Sequence, residues 1–381
     1  MLEKIEPKLL KSVRLLNVND SLECVLYAHN FNRLYTYLKD NFEHIYPIPF
    51  IKAFVVKLNY KNIFSLSSLN TVKYITEVTK VSTLVNVANK ILGTENKTVI
   101  DKPNFSVAVI DTGIYPHLDF VMPRNKIIKF VDFINNKSVP YDDNGHGTFV
   151  SGVIGGHGIV NPKYVGINPN TNLIAIKALD KNGETGASTI LNAMQWVYDN
   201  KDAYNIKVVC MSFGSMPLGK NDPLRVGAEM LWDSGIVVVS AAGNSGPSPE
   251  TIKSPGSSYK IITVGALDDH RVNDIPQYDL FSVADFSSRG PINNTYKPDM
   301  IASGVGINGL NNGSNPFYTV MSGTSVSTPM VAGVVSIILQ QHPTFTPDQV
   351  KRYLINSCTP ITGDRNSEGF GWLDGRKLII T

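Results

Sequence analysis

The 381-residue sequence is poor in cysteine and close to charge balance. Its three cysteines, Cys24, Cys210 and Cys358, are too few and too widely spaced for a disulfide framework or a zinc site. Lys and Arg number 35 against 32 Asp and Glu, so the net charge is only +3 and no basic footprint for nucleic acid is present. No apolar run approaches the roughly 20 residues that span a bilayer. We therefore expect neither a nucleic-acid partner nor a membrane partner.

The N-terminal residues 1–20 lack a sustained apolar segment and a small-residue cleavage site, the two marks of a secretory signal. Together with the scarcity of cysteine, this pattern predicts a cytoplasmic protein in a reducing compartment. With 43% hydrophobic and 18% charged residues, the chain can bury a large core and has room for two domains.

The most informative motif is SGTSVSTPMVAG, residues 322–333, which places Ser325 behind Gly-Thr at the start of an apolar, small-residue helix pattern. At such a turn the first helical N–H groups face an oxyanion that forms beside the serine. Two upstream segments supply a base and its orienting acid. Asp111 ends the strand-like VAVID, and His146 lies between two glycines in DDNGHGT. The chain order Asp, His, Ser is one of the known permutations of the serine-protease triad.

At these motifs the sequence resembles the subtilisin-like serine proteases, or subtilases, from about Ser106 to the C-terminus. A fourth block, VVVSAAGNSGP, puts Asn244 at the position of the family's side-chain oxyanion donor. The blocks DTGIYPHLDF and PYDDNGHGT are most similar to the intracellular AprX-like subtilases of spore-forming bacteria. The resemblance implies a serine endopeptidase in which Asp111 orients His146, His146 acts as general base and then acid, and Ser325 is the nucleophile.

Each of these residues also has a plainer interpretation. Asp111 alone is typical of a turn, His146 of a structural histidine, Ser325 of a helix N-cap and Asn244 of a left-handed turn. Four blocks in register favour catalysis over these alternatives. Two other functions remain open: a narrow-specificity protease that processes precursors or removes leader peptides, and a non-catalytic scaffold with the subtilase fold.

From Ser106 onward, short apolar runs alternate with helical stretches, which predicts an α/β fold with a mostly parallel central sheet. The resemblance makes this the three-layer subtilisin-like fold. Three helices are predicted between the strands: GHGTFVSGVIGGH, STILNAMQWVYDN and PLRVGAEMLWDSG. The last two carry apolar residues at helical spacing, and the first is rich in small residues that permit close packing. The predicted central strands are SVAVID, NLIAIKAL, IKVVCMSFG, GIVVVSAAGN and IITVGAL.

The part before the catalytic motifs predicts strand, helix, strand, short helix and strand, similar to a small α+β ferredoxin-like domain. In subtilases such a module is a propeptide that assists folding and inhibits the enzyme. We therefore expect an autoprocessing zymogen, with residues 1–95 as propeptide and residues 96–381 as peptidase domain. The boundary is expected between residues 80 and 103, and residues 83–98 predict a helix leading into the second domain. An unrelated accessory domain is the alternative.

The resemblance further implies a cleft that binds an extended peptide, pairing with its backbone as an added strand. Small residues around the pocket for the side chain before the cleaved bond predict an open pocket and a preference for large apolar or aromatic side chains. The expected substrate-binding residues are Ser212, Phe213, Gly214, Ala241, Ala242, Gly243, Ser254, Pro255 and Gly256.

No cofactor is needed for this chemistry. Members of the family hold a structural calcium ion in a loop that corresponds here to residues 157–166, HGIVNPKYVG, which contains no carboxylate. Asp119 is the candidate ligand, a single acid for an ion that takes six to eight oxygens. The sequence therefore leaves structural calcium open without supporting it.

Overall fold

The structure is a computed structural model that describes residues 2–5, 9–10, 21–48, 52–77, 105–218, 222–272, 276–292, 294–313 and 317–378. Contacts between residues divide the chain into two compact units, residues 1–81 and 82–381. Each unit has a hydrophobic core of its own. The predicted helix over residues 83–98 and the expected domain boundary at residue 95 lie outside the described residues.

The first unit is a four-stranded antiparallel sheet with two helices. Its elements are β1 (Ser21–Ala28), α1 (Phe31–Asn41), β2 (Ile45–Ile48), β3 (Ala53–Asn59), α2 (Tyr60–Ser67) and β4 (Val72–Glu77). The strands lie in the order β2-β3-β1-β4. The element order β-α-β-β-α-β is the one that defines ferredoxin-like domains.

Strand β2 is the element of this unit that the sequence did not predict. It contains Pro47, which has no N–H for a ladder hydrogen bond and therefore weakens the strand pattern. Because β2 is an edge strand, the missing donor is tolerated there.

Helix α1 forms where the sequence has a cap followed by an apolar stripe. The side chain of Asn30 accepts a hydrogen bond from the backbone N–H three residues later. Leu34 and Leu38, one turn apart, are buried in the same core as Leu26 of β1 and Phe54 of β3. The helix thus packs on the sheet through one face.

The second unit contains the remaining helices and strands. The strands are β5 (Ser106–Asp111), β6 (Ile127–Asp132), β7 (Asn172–Lys177), β8 (Ile206–Met211), β9 (Val237–Ala241), β10 (Ile262–Asp268), β11 (Ser282–Val283), β12 (Met300–Ser303), β13 (Ile307–Leu310), β14 (Tyr318–Met321), β15 (Cys358–Thr359) and β16 (Trp372–Leu373). The helices are α3 (Leu118–Val121), α4 (His146–Gly155), α5 (Ala187–Asn200), α6 (Pro223–Asp233), α7 (Thr324–Gln341), α8 (Pro347–Asn356) and α9 (Arg365–Glu368).

The main sheet has the order β15-β16-β12-β10-β9-β8-β5-β7-β6, with β11 paired to β10. All neighbours from β12 to β6 run parallel. The five predicted central strands are β5, β7, β8, β9 and β10, so the prediction of a mostly parallel sheet is confirmed. Every residue of β5 is buried, which is why its sequence is a continuous apolar run rather than an alternating one.

Helix α7 is the buried helix of the fold and packs on β8, β9, β10 and β12 as well as on α4. From Thr324 to Leu339 every residue is buried except Ser325. The small side chains of its first half permit this close packing, and they leave one partly exposed hydroxyl at its start. Among the described residues, none of the helices combines the length and apolarity needed to cross a bilayer.

Candidate active site

The candidate site lies where two parallel strands and two helices end or begin. Asp111 is the last residue of β5, and Asn244 follows the end of β9 by three residues. His146 begins α4, and Ser325 is the second residue of α7. Ligand sites of parallel α/β sheets lie beyond the carboxyl ends of the strands, which is where Asp111 and Asn244 are found.

Asp111 and His146 are joined by a hydrogen bond of 2.8 Å between Oδ1 and the ring Nδ1. Asp111 is 1% exposed, whereas the ring of His146 is 24% exposed. The same carboxylate oxygen accepts a hydrogen bond of 2.7 Å from the backbone N–H of Thr112. A proton held on Nδ1 by the carboxylate leaves Nε2 as the acceptor of the neutral ring.

The pKa of His146 is raised above its ordinary value of 6.5. Burial of the ring favours the neutral form and opposes the shift, but the negative charge and hydrogen bond of Asp111 outweigh it. The charge of Asp142 adds a smaller effect in the same direction. The site thus stabilises a proton on the ring once the ring has accepted one.

Asp142 is a residue of this site that the sequence analysis missed. Its Oδ1 accepts hydrogen bonds from the Thr112 hydroxyl at 2.9 Å and from the Gly145 N–H at 2.8 Å. Its Oδ2 accepts from the N–H and hydroxyl of Thr148 at 2.9 and 2.7 Å. Asp142 therefore ties the end of β5 to the first turn of α4, the two elements that hold Asp111 and His146. The acid pair before Asn-Gly-His was the available signal.

The two positions beside His146 require glycine for different structural reasons. Gly145 has a φ of 108°, in the region that favours glycine. A Cβ on Gly147 would lie 2.2 Å from the carbonyl oxygen of Gly113, so only glycine lets α4 approach the end of β5 so closely.

Ser325 and Asn244 face a common point. The side-chain oxygen of Asn244 accepts hydrogen bonds of 2.9 Å from both the backbone N–H and the hydroxyl of Thr324. A Cβ built on Gly323 would lie 3.0 Å from Ser325 Oγ and 3.2 Å from Asn244 Nδ2. Ser325 makes no hydrogen bond to the His146 ring among the described contacts, and such bonds in ligand-free sites often form only with substrate present.

A cavity of about 170 Å³ opens beside Ser325 and Asn244. Of the expected substrate-binding residues, Ser212, Phe213, Gly214, Ala241 and Gly243 line it. A second cavity of about 350 Å³ shares Phe213 and Gly214 as lining residues with the first.

The other four expected residues, Ala242, Ser254, Pro255 and Gly256, do not line this cavity. Two of them contact other residues: the Ser254 hydroxyl donates to Asp222 at 2.8 Å, and a Cβ on Gly256 would lie 2.6 Å from the Ala241 carbonyl oxygen. The pocket contains instead Lys253, which the sequence analysis missed because it took the small residues after it as the wall. The expected residues that line this cavity therefore share it with a lysine.

The residues around Asp119 do not fit a calcium ion. Its two carboxylate oxygens accept hydrogen bonds from the backbone N–H groups of Gly158 at 3.1 Å and Val160 at 3.0 Å. A calcium loop presents carbonyl oxygens to its ion, whereas this loop presents N–H groups to a carboxylate. No cluster of three or more acidic, histidine or cysteine side chains suited to a metal occurs in the described part of the chain.

Lys126 is a buried lysine near this loop. Its side chain is fully buried, and its ammonium donates to the carbonyl oxygens of Gly155 and Pro169. Burial holds the pKa of Lys126 well below its ordinary value, and the nearby charge of Arg124 lowers it further. Lys126 thus holds the backbone just before and just after the loop at residues 157–166.

The arrangement of sheet, helices and site is that of the subtilisin-like fold. A profile of the subtilase family, peptidase S8, matches residues 102–372. The chain therefore belongs to the subtilase family.

Individual relatives agree with this assignment. The chain is 44% identical over 273 residues to serine protease AprX of Bacillus subtilis (strain 168), a match that covers 66% of this chain and 60% of AprX. It is 34% identical over 275 residues to subtilisin DY of Bacillus licheniformis, covering 71% and 89% of the two chains. The solved structure of Sphericase superposes with a TM-score of 0.63 at 26% identity, covering 75% of this chain and 96% of Sphericase. The match thus spans about 60% of AprX, and 89% and 96% of subtilisin DY and Sphericase.

Proposed function

We propose that this chain hydrolyses internal peptide bonds of extended polypeptides through Asp111, His146 and Ser325. The observation that carries the proposal is the 2.8 Å hydrogen bond between His146 and the buried carboxylate of Asp111 at the end of β5. His146 removes the proton of Ser325 as it attacks the carbonyl carbon and then donates that proton to the leaving amine. Asp111 stays ionised and stabilises the imidazolium. Water activated by His146 then hydrolyses the acyl-enzyme.

Asn244 is proposed as the side-chain donor to the oxyanion. Two hydrogen bonds from Thr324 occupy its oxygen, which leaves its NH₂ group facing the point shared with Ser325 Oγ. The backbone N–H of Ser325 at the start of α7 is the second proposed donor, favoured by the positive end of the helix dipole.

Labelling with a fluorophosphonate tests the proposed nucleophile. The wild type is expected to gain one adduct on Ser325 and to degrade casein at several sites, and Ser325→Ala is expected to do neither. Ser322→Ala is the matched control, because Ser322 is an exposed serine three residues earlier that should leave both reactions intact. Labelling of another serine, or casein hydrolysis by Ser325→Ala, would refute the assignment. Absence of both reactions in the wild type would favour the non-catalytic scaffold.

We further propose that the enzyme is made as a zymogen, with residues 1–95 as folding aid and inhibitor. Support comes from the compact first unit, residues 1–81, which precedes the start of the family match at residue 102. The chain's own N-terminal unit would then be its first partner. Intact mass over time is the test: only the wild type, and not Ser325→Ala, should lose roughly 80 to 100 residues. Loss of the same segment from both proteins would mean that another protease removes it.

A narrower precursor-processing protease is the second candidate, and one observation favours it. The cavity beside Ser325 contains Lys253, which limits the side chains it accepts. Cleavage of casein at many sites with little regard to sequence would count against this narrower function.

A further inference from the structure

Lys253 lies across the cavity beside the proposed nucleophile. A Cβ built on Gly243 would lie 2.4 Å from Lys253 Cγ, and one built on Gly214 would lie 2.6 Å from Lys253 Cβ. The lysine stem therefore passes between these two glycines, and both must be glycine for it to fit. The cavity that remains beside Ser325 measures about 170 Å³.

The backbone around Lys253 is fixed on both sides. Its N–H donates to the carbonyl oxygen of Ala242 at 2.8 Å, and Ser254 exchanges two hydrogen bonds of 2.9 Å with Ser215. The direction in which the lysine stem leaves the chain is thus set by the pocket walls. These bonds fix the backbone of Lys253, and the rest of its stem can rotate about its own bonds.

The ammonium of Lys253 has no carboxylate partner within 4 Å in the described part of the chain. Its contact is the sulfur of Met216 at 3.2 Å, a weak acceptor on an exposed side chain. No Asp or Glu lines the cavity, whose other described residues are neutral. Lys253 is half-buried as a residue, and its ammonium, which has a thioether as its described hydrogen-bond partner, can pair with an anionic group that enters the pocket.

We propose that Lys253 selects an acidic side chain, glutamate above all, at the position before the cleaved bond. The proposal rests on the proposed function of Ser325 as nucleophile. The stem of Lys253 takes up space that a large aromatic side chain would need, and its ammonium forms an ion pair with the carboxylate of the substrate. This preference differs from the large apolar one expected from the small residues of the pocket.

The sharpest comparison is between glutamate and glutamine, which have the same shape and differ in charge. Two tetrapeptide substrates identical except for Glu or Gln before the cleaved bond are compared by kcat/KM, with Phe and Lys peptides beside them. The wild type is expected to prefer Glu over Gln by about fivefold or more. Raising the salt from about 0.05 M to about 0.5 M should lower this ratio, because the pair is only partly shielded from solvent.

Lys253→Met keeps most of the stem and removes the charge, and it is expected to bring the Glu-to-Gln ratio to about one or below. Lys253→Glu should reverse the preference and favour the Lys peptide. The matched control is Lys207→Met, which removes an exposed lysine of β8 and should leave the ratio unchanged. A Glu-to-Gln ratio that is the same in the wild type and Lys253→Met would overturn the proposal.

Failure of the proposed catalysis gives a different result. If the wild type cleaves none of the four peptides and takes up no fluorophosphonate, then Ser325 is not an active nucleophile and the specificity proposal falls with it. If the wild type labels at Ser325 and cleaves the Phe peptide well but not the Glu peptide, the proposed catalysis stands and the role of Lys253 is refuted.

Discussion

Thr324 fixes the orientation of the Asn244 amide. Its backbone N–H can only donate, so the side-chain atom of Asn244 that lies 2.9 Å away must be the oxygen. The NH₂ group is then turned to the side of Gly323, where Ser325 Oγ also lies. The residue directly before the proposed nucleophile thus orients the proposed oxyanion donor from 80 residues away in the chain.

Asn244→Ala is expected to lower kcat by about 10²- to 10³-fold with little change in KM, because the lost donor acts on charge that develops only in the transition state. Thr324→Val keeps the N–H bond but removes the hydroxyl, which donates to Asn244 and accepts from the Gly243 N–H at 3.1 Å, and it should lower kcat by a smaller factor. Thr324→Ser should restore it. Steady-state kinetics on one peptide substrate measure all three variants, and a Thr324→Val loss as large as that of Asn244→Ala would contradict the orienting role.

The acid limb of kcat/KM reports the proton on His146 in the free enzyme. The ring must be neutral to act as base, so activity is lost as the pH falls through its pKa. Because Asp111 raises that pKa, the limb should lie above pH 6.5, the ordinary value for histidine. A pH series from acidic to neutral locates it. A limb at or below 6.5 would show that burial of the ring outweighs the charge of Asp111.

The loop closed by Asp119 should not depend on calcium. In a Ser325→Ala background, which prevents self-digestion, EDTA and added calcium are expected to leave the Tm unchanged. Asp119→Ala should lower the free energy of unfolding by about 2 to 3 kcal/mol, since two buried N–H groups lose a charged acceptor. The control is Asp202→Ala, which removes an exposed carboxylate. A rise in Tm with calcium that Asp119→Ala abolishes would contradict this account.

The preference proposed for Lys253 extends to autoprocessing. Between residues 80 and 103 the sequence contains two acids, Glu95 and Asp101. If the enzyme cuts its own chain through the same pocket, the new N-terminus should be Asn96 or Lys102. N-terminal sequencing of the processed protein decides this, and Glu95→Gln should slow the cut after residue 95 more than Glu95→Asp does. A cut after a neutral residue in this stretch would contradict this prediction, because it would show that autoprocessing does not follow the preference proposed for the pocket.

Much of the second unit was predictable because the sequence patterns that indicate its strands and its site lie within short segments of the chain. The buried strands are continuous apolar runs, and the motifs around Asp111, His146 and Ser325 each occupy a single turn or strand end. The structure places Asp111 and His146 in contact, as expected from these motifs, while their catalytic roles stay a prediction.

The site contacts that the sequence did not predict are made between segments that lie far apart in the chain. Lys253 lies at the pocket because its backbone N–H donates to the Ala242 carbonyl oxygen. Both carboxylate oxygens of Asp119 accept hydrogen bonds from the backbone of a loop about 40 residues later in the chain. No motif in the neighbouring residues indicates either contact. Strand β2 was missed for a local reason, since Pro47 argues against a strand unless its edge position is known.

The most direct test of the triad is a comparison of kcat for Ser325→Ala, His146→Ala and the double variant on one peptide substrate. If the two side chains act as one unit, each single change should abolish nearly all the activity, and the double variant should be no slower than either. Losses that multiply in the double variant, or a His146→Ala protein that keeps most of its activity, would contradict the proposed catalysis by Asp111, His146 and Ser325.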